Sequence, residues 1–151
     1  MNASVNQVLS DRQWAVLHPG SAGILITIGD DGLPTTAFVW TVAASRDALR
    51  FATEGSATRS NLEKRAIASL QILGQDNQVF LVKGRTRMAK PRLDALPFES
   101  TLMILEIIEV KDQRWPEVHV SPLTYEWSSD RADEWRATEQ AVYKELREWA
   151  S

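Results

Sequence analysis

The side chains best suited to chemistry lie together in residues 50–62, where a strand pattern passes through Gly55 into a helix pattern. The first amides of a helix have no partner within the helix and lie at the positive end of its dipole, so they attract anions. Hydroxyl and guanidinium groups that can bind a phosphate cluster at this junction: Thr53, Ser56, Thr58, Arg59 and Ser60. The segment predicts a phosphate site; the alternative is an ordinary capped helix, because Ser and Thr are common at helix starts.

The rest of the sequence offers no recognisable set of catalytic or metal-binding residues. The chain has no cysteine, which excludes disulfides, thiolate catalysis and zinc–thiolate sites. Its two histidines, His18 and His119, lie far apart in sequence and do not make a metal site by themselves. Asp30 and Asp31 stand between glycines, a pattern that favours a hairpin turn over acid–base catalysis. We therefore assign no catalytic residue and expect no metal.

Length and charge narrow the class of protein. A chain of 151 residues favours one domain, residues 1–151, with a core of its own. Its net charge of −3 gives no field that would attract nucleic acid or an anionic membrane. No run approaches the roughly 20 apolar residues of a membrane span, and residues 1–6 lack the features of a secretory signal. We expect a cytoplasmic protein without a nucleic-acid or membrane partner.

The elements that must position the junction read as a mainly β fold. Apolar, β-branched runs separated by turn residues predict six strands, at 22–28, 34–42, 48–53, 67–73, 79–88 and 102–110. Tight turns join successive strands, so the pairing is expected to be antiparallel. Six such strands with short helices between them favour a closed or half-closed barrel.

Helical patterns occupy residues 10–17, which Ser10 can cap, and about 57–65. A longer C-terminal helix is expected at about 128–150. Three residues could cap its start: Ser128, Ser129 and Asp130. Its apolar side chains recur at helical spacing: Trp135, Val142, Leu146 and Trp149. Such a stripe favours packing on the barrel or on a second subunit over a cofactor site.

Four motifs follow one another in a fixed order. They are the turn Gly29-Asp30-Asp31-Gly32-Leu33-Pro34, the strand Ala37-Phe38-Val39-Trp40, the strand Leu49-Arg50-Phe51-Ala52-Thr53 and the helix start Ser56-Ala57-Thr58-Arg59-Ser60-Asn61-Leu62. This order resembles the pyridoxamine 5'-phosphate oxidase-like family of FMN-binding split barrels. A later segment, Val82-Lys83-Gly84-Arg85-Thr86-Arg87, resembles the family's strand of alternating apolar and basic residues. The resemblance covers about residues 25–110.

The resemblance implies a six-stranded antiparallel split β-barrel, mainly β, that forms a homodimer with FMN sites in the subunit interface. It places the cofactor phosphate at the junction, on Thr53, Ser56 and Thr58, with Arg59 or a group of the partner chain supplying charge. It lays the flavin ring along the strand that carries Val39, Trp40 and Thr41. It also matches Gln78 to a glutamine that family members present from the second subunit.

The implied function is that of an FMN-dependent oxidoreductase acting on a small molecule, with hydride passing from a nicotinamide donor. The oxidases proper carry an Arg and a Lys at positions matched here by Ala37 and Val42, and residues 115–125 do not match their C-terminal substrate motif. We therefore do not expect a true pyridoxamine phosphate oxidase. Two alternatives stay open: a non-catalytic protein that binds flavin, deazaflavin or haem, and a structural dimer with no cofactor.

Overall fold

Six antiparallel strands close into a barrel in the computed structural model, which describes residues 5–150. The described residues form seven strands, and all but β1 build the barrel: β1 (Val5–Asn6), β2 (Ser21–Ile28), β3 (Pro34–Ser45), β4 (Ala48–Thr53), β5 (Ile67–Leu73), β6 (Val79–Lys90) and β7 (Thr101–Asp112). Around the barrel the order is β4-β3-β2-β5-β6-β7, and pairing of β7 with β4 closes it. The two residues of β1 pair beside the far end of β7. The expected mainly β barrel is confirmed.

Three helices accompany the barrel: α1 (Asp11–Leu17), α2 (Ser56–Lys64) and α3 (Ala132–Glu148). Ser10 caps α1 as expected: its hydroxyl accepts the Gln13 amide, and the Gln13 side-chain oxygen accepts the Ser10 amide, which completes a capping box. The expected cap of the C-terminal helix does not form, because α3 begins at Ala132 and no side chain caps it. The Ser129 hydroxyl instead accepts the Arg131 amide in the turn before the helix, 3.1 Å away.

The β2–β3 hairpin shows how local sequence fixes the barrel's register. Gly32 has a φ of 79°, a left-handed conformation that favours glycine. The Asp31 carboxylate accepts the Leu33 amide at 3.0 Å, so this acid serves the turn, as expected. Asp30 pairs instead with Lys64 at the end of α2. The turn aligns Ile28 with Pro34 and sets the eight-residue ladder that follows.

Closure depends on a close approach between β6 and β7. The ladder shifts register at Gly84, and a Cβ built there would lie 2.2 Å from the Glu106 carbonyl oxygen. Any side chain at this position would push the two strands apart, so the sequence needs glycine where β6 passes Glu106 of β7.

The C-terminal helix packs on the outside of its own barrel. Val142 and Leu146 are fully buried there against strand residues that include Val42 and Leu102. The apolar stripe was expected to pack either on the barrel or on a second subunit. Val142 and Leu146 pack on the barrel of their own chain. Within the described residues, no helix combines the length and apolar character that a bilayer crossing requires.

Candidate functional site

A cavity of about 540 Å³ opens on the outer face of the barrel, between strand β3 and the segment that leads into α3. Four parts of the chain contribute to its lining: β3, the end of β4, the loop 91–100 and residues 125–135. The lining residues are Phe38, Val39, Trp40, Ala52, Glu54, Leu96, Phe98, Ser100, Tyr125, Trp127 and Trp135. Most of these are apolar or aromatic, so the cavity suits a planar organic group.

Strand β3 presents two aromatic residues to this cavity because side chains two apart share a face of a strand. Phe38 and Trp40 lie on the outer face, where Trp40 packs against the cluster under α3. The side chain of Val39 belongs to the core inside the barrel, where it is 5% exposed. The alternation of β3 therefore supplies both the barrel core and the cavity wall.

The opposite wall is a continuous set of aromatic contacts. Phe38 meets Tyr125 edge-on, with ring centroids 5.2 Å apart, and Tyr125 meets Trp127 at 6.0 Å. Trp127 stacks on Trp135 at 5.4 Å and contacts Trp40 at 6.1 Å. Edge-to-face and stacked pairs at these distances are the favoured aromatic geometries. They fix the position of a segment that has no regular secondary structure.

One carboxylate of α3 holds this wall from behind. Glu139 accepts hydrogen bonds from the Tyr125 hydroxyl and from the Trp127 indole, the latter at 3.3 Å, and the Tyr143 hydroxyl lies 3.5 Å away. The Tyr125 oxygen in turn accepts the Trp40 indole N–H at 2.8 Å. Burial, followed by the nearby Glu139 carboxylate, raises the pKa of the Tyr125 hydroxyl above its usual range. Tyr125 is therefore protonated at neutral pH and serves as a hydrogen-bond donor.

The β4–α2 junction lies beside the cavity, since Ala52 and Glu54 line it. Gly55 precedes α2 with a φ of 92°, and no side chain caps the helix. The first amides of α2 are thus free for an anion. Of the three buried side-chain polar atoms without a hydrogen-bond partner among the described residues, two belong to this junction, Thr53 Oγ1 and Arg59 Nε. This donor set fits the chemistry of a phosphate group.

One acid of this chain, Glu99, competes with a phosphate for the Arg59 guanidinium. Arg59 Nη1 lies 2.8 Å from the Glu99 carboxylate, and Nη2 donates to Thr101 Oγ1 at 2.9 Å. The hydrogen bond from Arg59 lowers the pKa of Glu99, which is therefore ionised at neutral pH. A phosphate at this junction would have to share Arg59 with Glu99 or displace it.

Six of the eight residues expected at the cofactor lie at the cavity or next to it. Val39 and Trp40 line the cavity. The residues at the adjoining junction are Thr53, Ser56, Thr58 and Arg59. Of these, Thr53 is 1% exposed, whereas Ser56 is exposed at the start of α2.

The other two expected residues lie elsewhere in this subunit. Thr41 is fully buried, and its hydroxyl donates to the Arg50 carbonyl at 2.9 Å. Gln78 is 3% exposed in the turn between β5 and β6, where its amide donates to the Asp76 carbonyl at 3.3 Å. Neither lines the aromatic cavity. Among the residues described by the structure, no group of three His, Cys, Asp or Glu side chains could hold a metal ion.

Sequence reasoning missed the residues that form most of the cavity wall. Phe98, Tyr125 and Trp127 were not expected at the site, and Trp135 was expected in the helical stripe. The available signal was composition, because six tryptophans in 151 residues are many. Which aromatic residues contact one another could not be predicted from the sequence, since Trp40 and Tyr125 are 85 positions apart.

No protein-family model matches this sequence, and no curated protein matches it either. Among solved structures, one titled F420 reductase is similar, with a TM-score of 0.54. The likeness covers 66% of this chain and 95% of that chain at 16% sequence identity. At this identity the similarity establishes a shared fold.

Proposed function

We propose that this chain binds a flavin or deazaflavin, with FMN as the leading candidate, and acts as an oxidoreductase on a small molecule. The observation that carries the proposal is the adjacency of an aromatic cavity and an uncapped helix start. The cavity suits a planar ring, and the helix start suits a phosphate tail. The motif order of the sequence and the fold shared with an F420 reductase both support this assignment.

In this proposal the junction binds the phosphate. The first amides of α2 and the hydroxyls of Ser56 and Thr58 donate to its oxygens. Thr53 Oγ1 and Arg59 Nε, both buried and unpartnered in the described chain, gain acceptors. Arg59 exchanges one charge-assisted bond, to the Glu99 carboxylate, for another, to the phosphate. Glu99 is 65% exposed and returns to water at little cost.

The cavity in turn binds the ring and excludes water from it. Its volume of about 540 Å³ lies within the range of about 300–1,000 Å³ usual for small-molecule sites. Trp40 and Phe38 provide the strand wall, and Tyr125 is held in place by Glu139. A flavin, when bound, supplies hydride transfer between a nicotinamide donor and the substrate. The chain's own residues orient the ring.

Native mass spectrometry of freshly purified protein tests the proposal, because it reports bound ligand and subunit number together. Titration with FMN and with F420, followed by fluorescence, gives the affinity. Thr58→Glu places an anion in the phosphate site and should abolish binding of FMN. Ala141→Glu adds the same charge on an exposed position of α3 and should leave FMN affinity unchanged. A protein that takes up neither cofactor refutes the proposal.

A non-catalytic binding protein is the second candidate. It is favoured by the cavity lining, which contains no basic side chain among the described residues and one acidic side chain, Glu54. Loaded protein separates the two candidates. Bleaching of the bound flavin by NADH or NADPH supports the enzyme, whereas a flavin that neither donor reduces supports the binding protein.

We also propose that the protein forms a homodimer. Large apolar side chains are exposed on this chain: Leu33 is 63% exposed, Met88 58% and Trp115 62%. A second copy would cover such side chains, and twofold pairing is the commonest assembly of soluble proteins. A single-subunit mass in the native spectrum would refute the dimer without affecting the cofactor proposal.

A further inference from the structure

The aromatic cavity carries one charged side chain in the lining that the structure describes, the carboxylate of Glu54. Glu54 is exposed and forms no ion pair or hydrogen bond with the described residues. The remaining walls are mainly aromatic: Phe38, Trp40, Phe98, Tyr125, Trp127 and Trp135. An exposed carboxylate that lines an aromatic cavity favours a ligand of positive charge.

The physical basis is the charge distribution of the rings. The faces of indole, phenol and benzene rings carry partial negative charge and attract cations. Trp135 is already engaged, since the Arg131 guanidinium lies 5.6 Å from its ring centroid and Trp127 stacks on it at 5.4 Å, so the ring faces for a ligand come mainly from the other aromatic residues. The wall offers few donors to an anion, because the indole N–H groups of Trp40 and Trp127 are bonded to Tyr125 and Glu139.

We propose that this cavity selects an organic cation of the quaternary ammonium class. An inorganic cation keeps a tight hydration shell, which aromatic walls cannot replace. A quaternary ammonium group has no hydrogen-bond donors to lose on burial, and its methyl groups pack against rings. The cation uses the same cavity as the proposed ring: it binds there alone in the free protein, and beside the ring when a cofactor is bound. The inference goes beyond the proposed cofactor and does not depend on it. If the oxidoreductase assignment holds as well, it names the class of substrate.

The test compares two probes of the same shape, choline and 3,3-dimethylbutan-1-ol, which differ in charge. Binding to the full-length protein is followed by the ¹⁵N–¹H signals of its six indole groups. We expect the signals of Trp40, Trp127 and Trp135 to move with choline. The other three tryptophans lie outside the cavity and should not move: Trp14, Trp115 and Trp149. Choline should bind about tenfold more tightly than the neutral alcohol.

Glu54→Gln isolates the carboxylate. It should weaken choline binding about fivefold, the effect of a unit charge about 4 Å away in a water-like dielectric. Glu63→Gln removes an exposed acid of α2 that lies outside the cavity, and it should leave choline affinity unchanged. Equal affinity for choline and the alcohol, shifts spread over all six indoles, or an unchanged affinity in Glu54→Gln would each overturn the proposal.

The same variant keeps this inference separate from the cofactor proposal. Removing a carboxylate beside the phosphate site should not weaken FMN binding and should strengthen it if the charges interact. Choline binding without FMN binding would refute the cofactor and leave the cation site standing. FMN binding without any preference for choline over its neutral analogue would refute the cation site and support the cofactor proposal.

Discussion

The C-terminal end of α3 is held to the barrel by Arg50, and its removal gives a prediction of definite size. Arg50 Nη1 donates to three carbonyls at that end, those of Leu146, Arg147 and Trp149, at 2.8, 3.1 and 2.8 Å. The guanidinium also lies 5.4 Å from the Trp149 ring centroid. A cation at this position complements the negative end of the helix dipole.

The cost of Arg50→Met follows from these contacts. One nitrogen has two N–H groups, so the three carbonyls share about two hydrogen bonds, each worth about 1.5 kcal/mol at the lower end for charged donors. The lower end applies because carbonyls at a helix end can turn to water. Methionine keeps much of the apolar stem, so packing changes little. We expect the free energy of unfolding to fall by about 3 kcal/mol, and Tm by about 6–12 °C.

Urea unfolding followed by tryptophan fluorescence measures this loss. Arg50→Lys keeps the charge but offers a single point of donation, so its stability should fall between the wild type and Arg50→Met. Arg85→Met removes an exposed arginine of β6 and should change stability by less than about 0.5 kcal/mol. If Arg50→Met is no less stable than Arg85→Met, the guanidinium does not anchor the helix.

Two further predictions concern ionisation and strand contact. The chain has two tyrosines, and burial raises the pKa of both the Tyr125 and the Tyr143 hydroxyl above the usual 10.0. Absorbance at 295 nm should therefore show no tyrosinate in native protein at about pH 10. Because the tyrosines of the unfolded chain ionise first, the free energy of unfolding should fall as pH rises above that value. Half-ionisation of the tyrosines in native protein near pH 10 would contradict the prediction. Gly84→Ala would place a Cβ 2.2 Å from the Glu106 carbonyl oxygen and should lower stability by about 1–3 kcal/mol in urea unfolding. At Gly29 the nearest atom is a movable side-chain oxygen at 3.1 Å, so Gly29→Ala should cost less, and equal losses would argue against the clash.

The barrel could be predicted because its information is local. The alternation of β3, the turn at Gly29–Gly32 and the run of apolar residues in β5 each report on a few neighbouring positions. The cap of α1 could be predicted for the same reason. The start of α3 could not, because several polar residues before it were equally able to cap and the structure uses none of them.

The candidate site divides along the same line. The strand wall and the junction, represented by Trp40 and Thr53, follow from motifs contiguous in sequence. The opposite wall, formed by Tyr125, Trp127 and Trp135, depends on contacts between segments distant in sequence. Examples are the contact of Tyr125 with Phe38 and the stacking of Trp135 on Trp127. The helical spacing of Trp135 with Leu146 indicated one shared face, but the tertiary stacking contact decides what this indole packs against.

The position of the opposite wall outside the strand ladders bears on how the ligand specificity of this protein could change in evolution. Residues 113–131 supply aromatic rings to the cavity and lie outside the strand ladders, although the Gln113 amide donates to the Val79 carbonyl and the Leu123 amide to the Leu73 carbonyl. Their attachment to the helix behind them runs largely through the carboxylate of Glu139. Amino-acid replacements in that stretch reshape the binding chamber while every strand partner is preserved. Descendants of this chain can thus exchange one ligand for another without redesigning the scaffold.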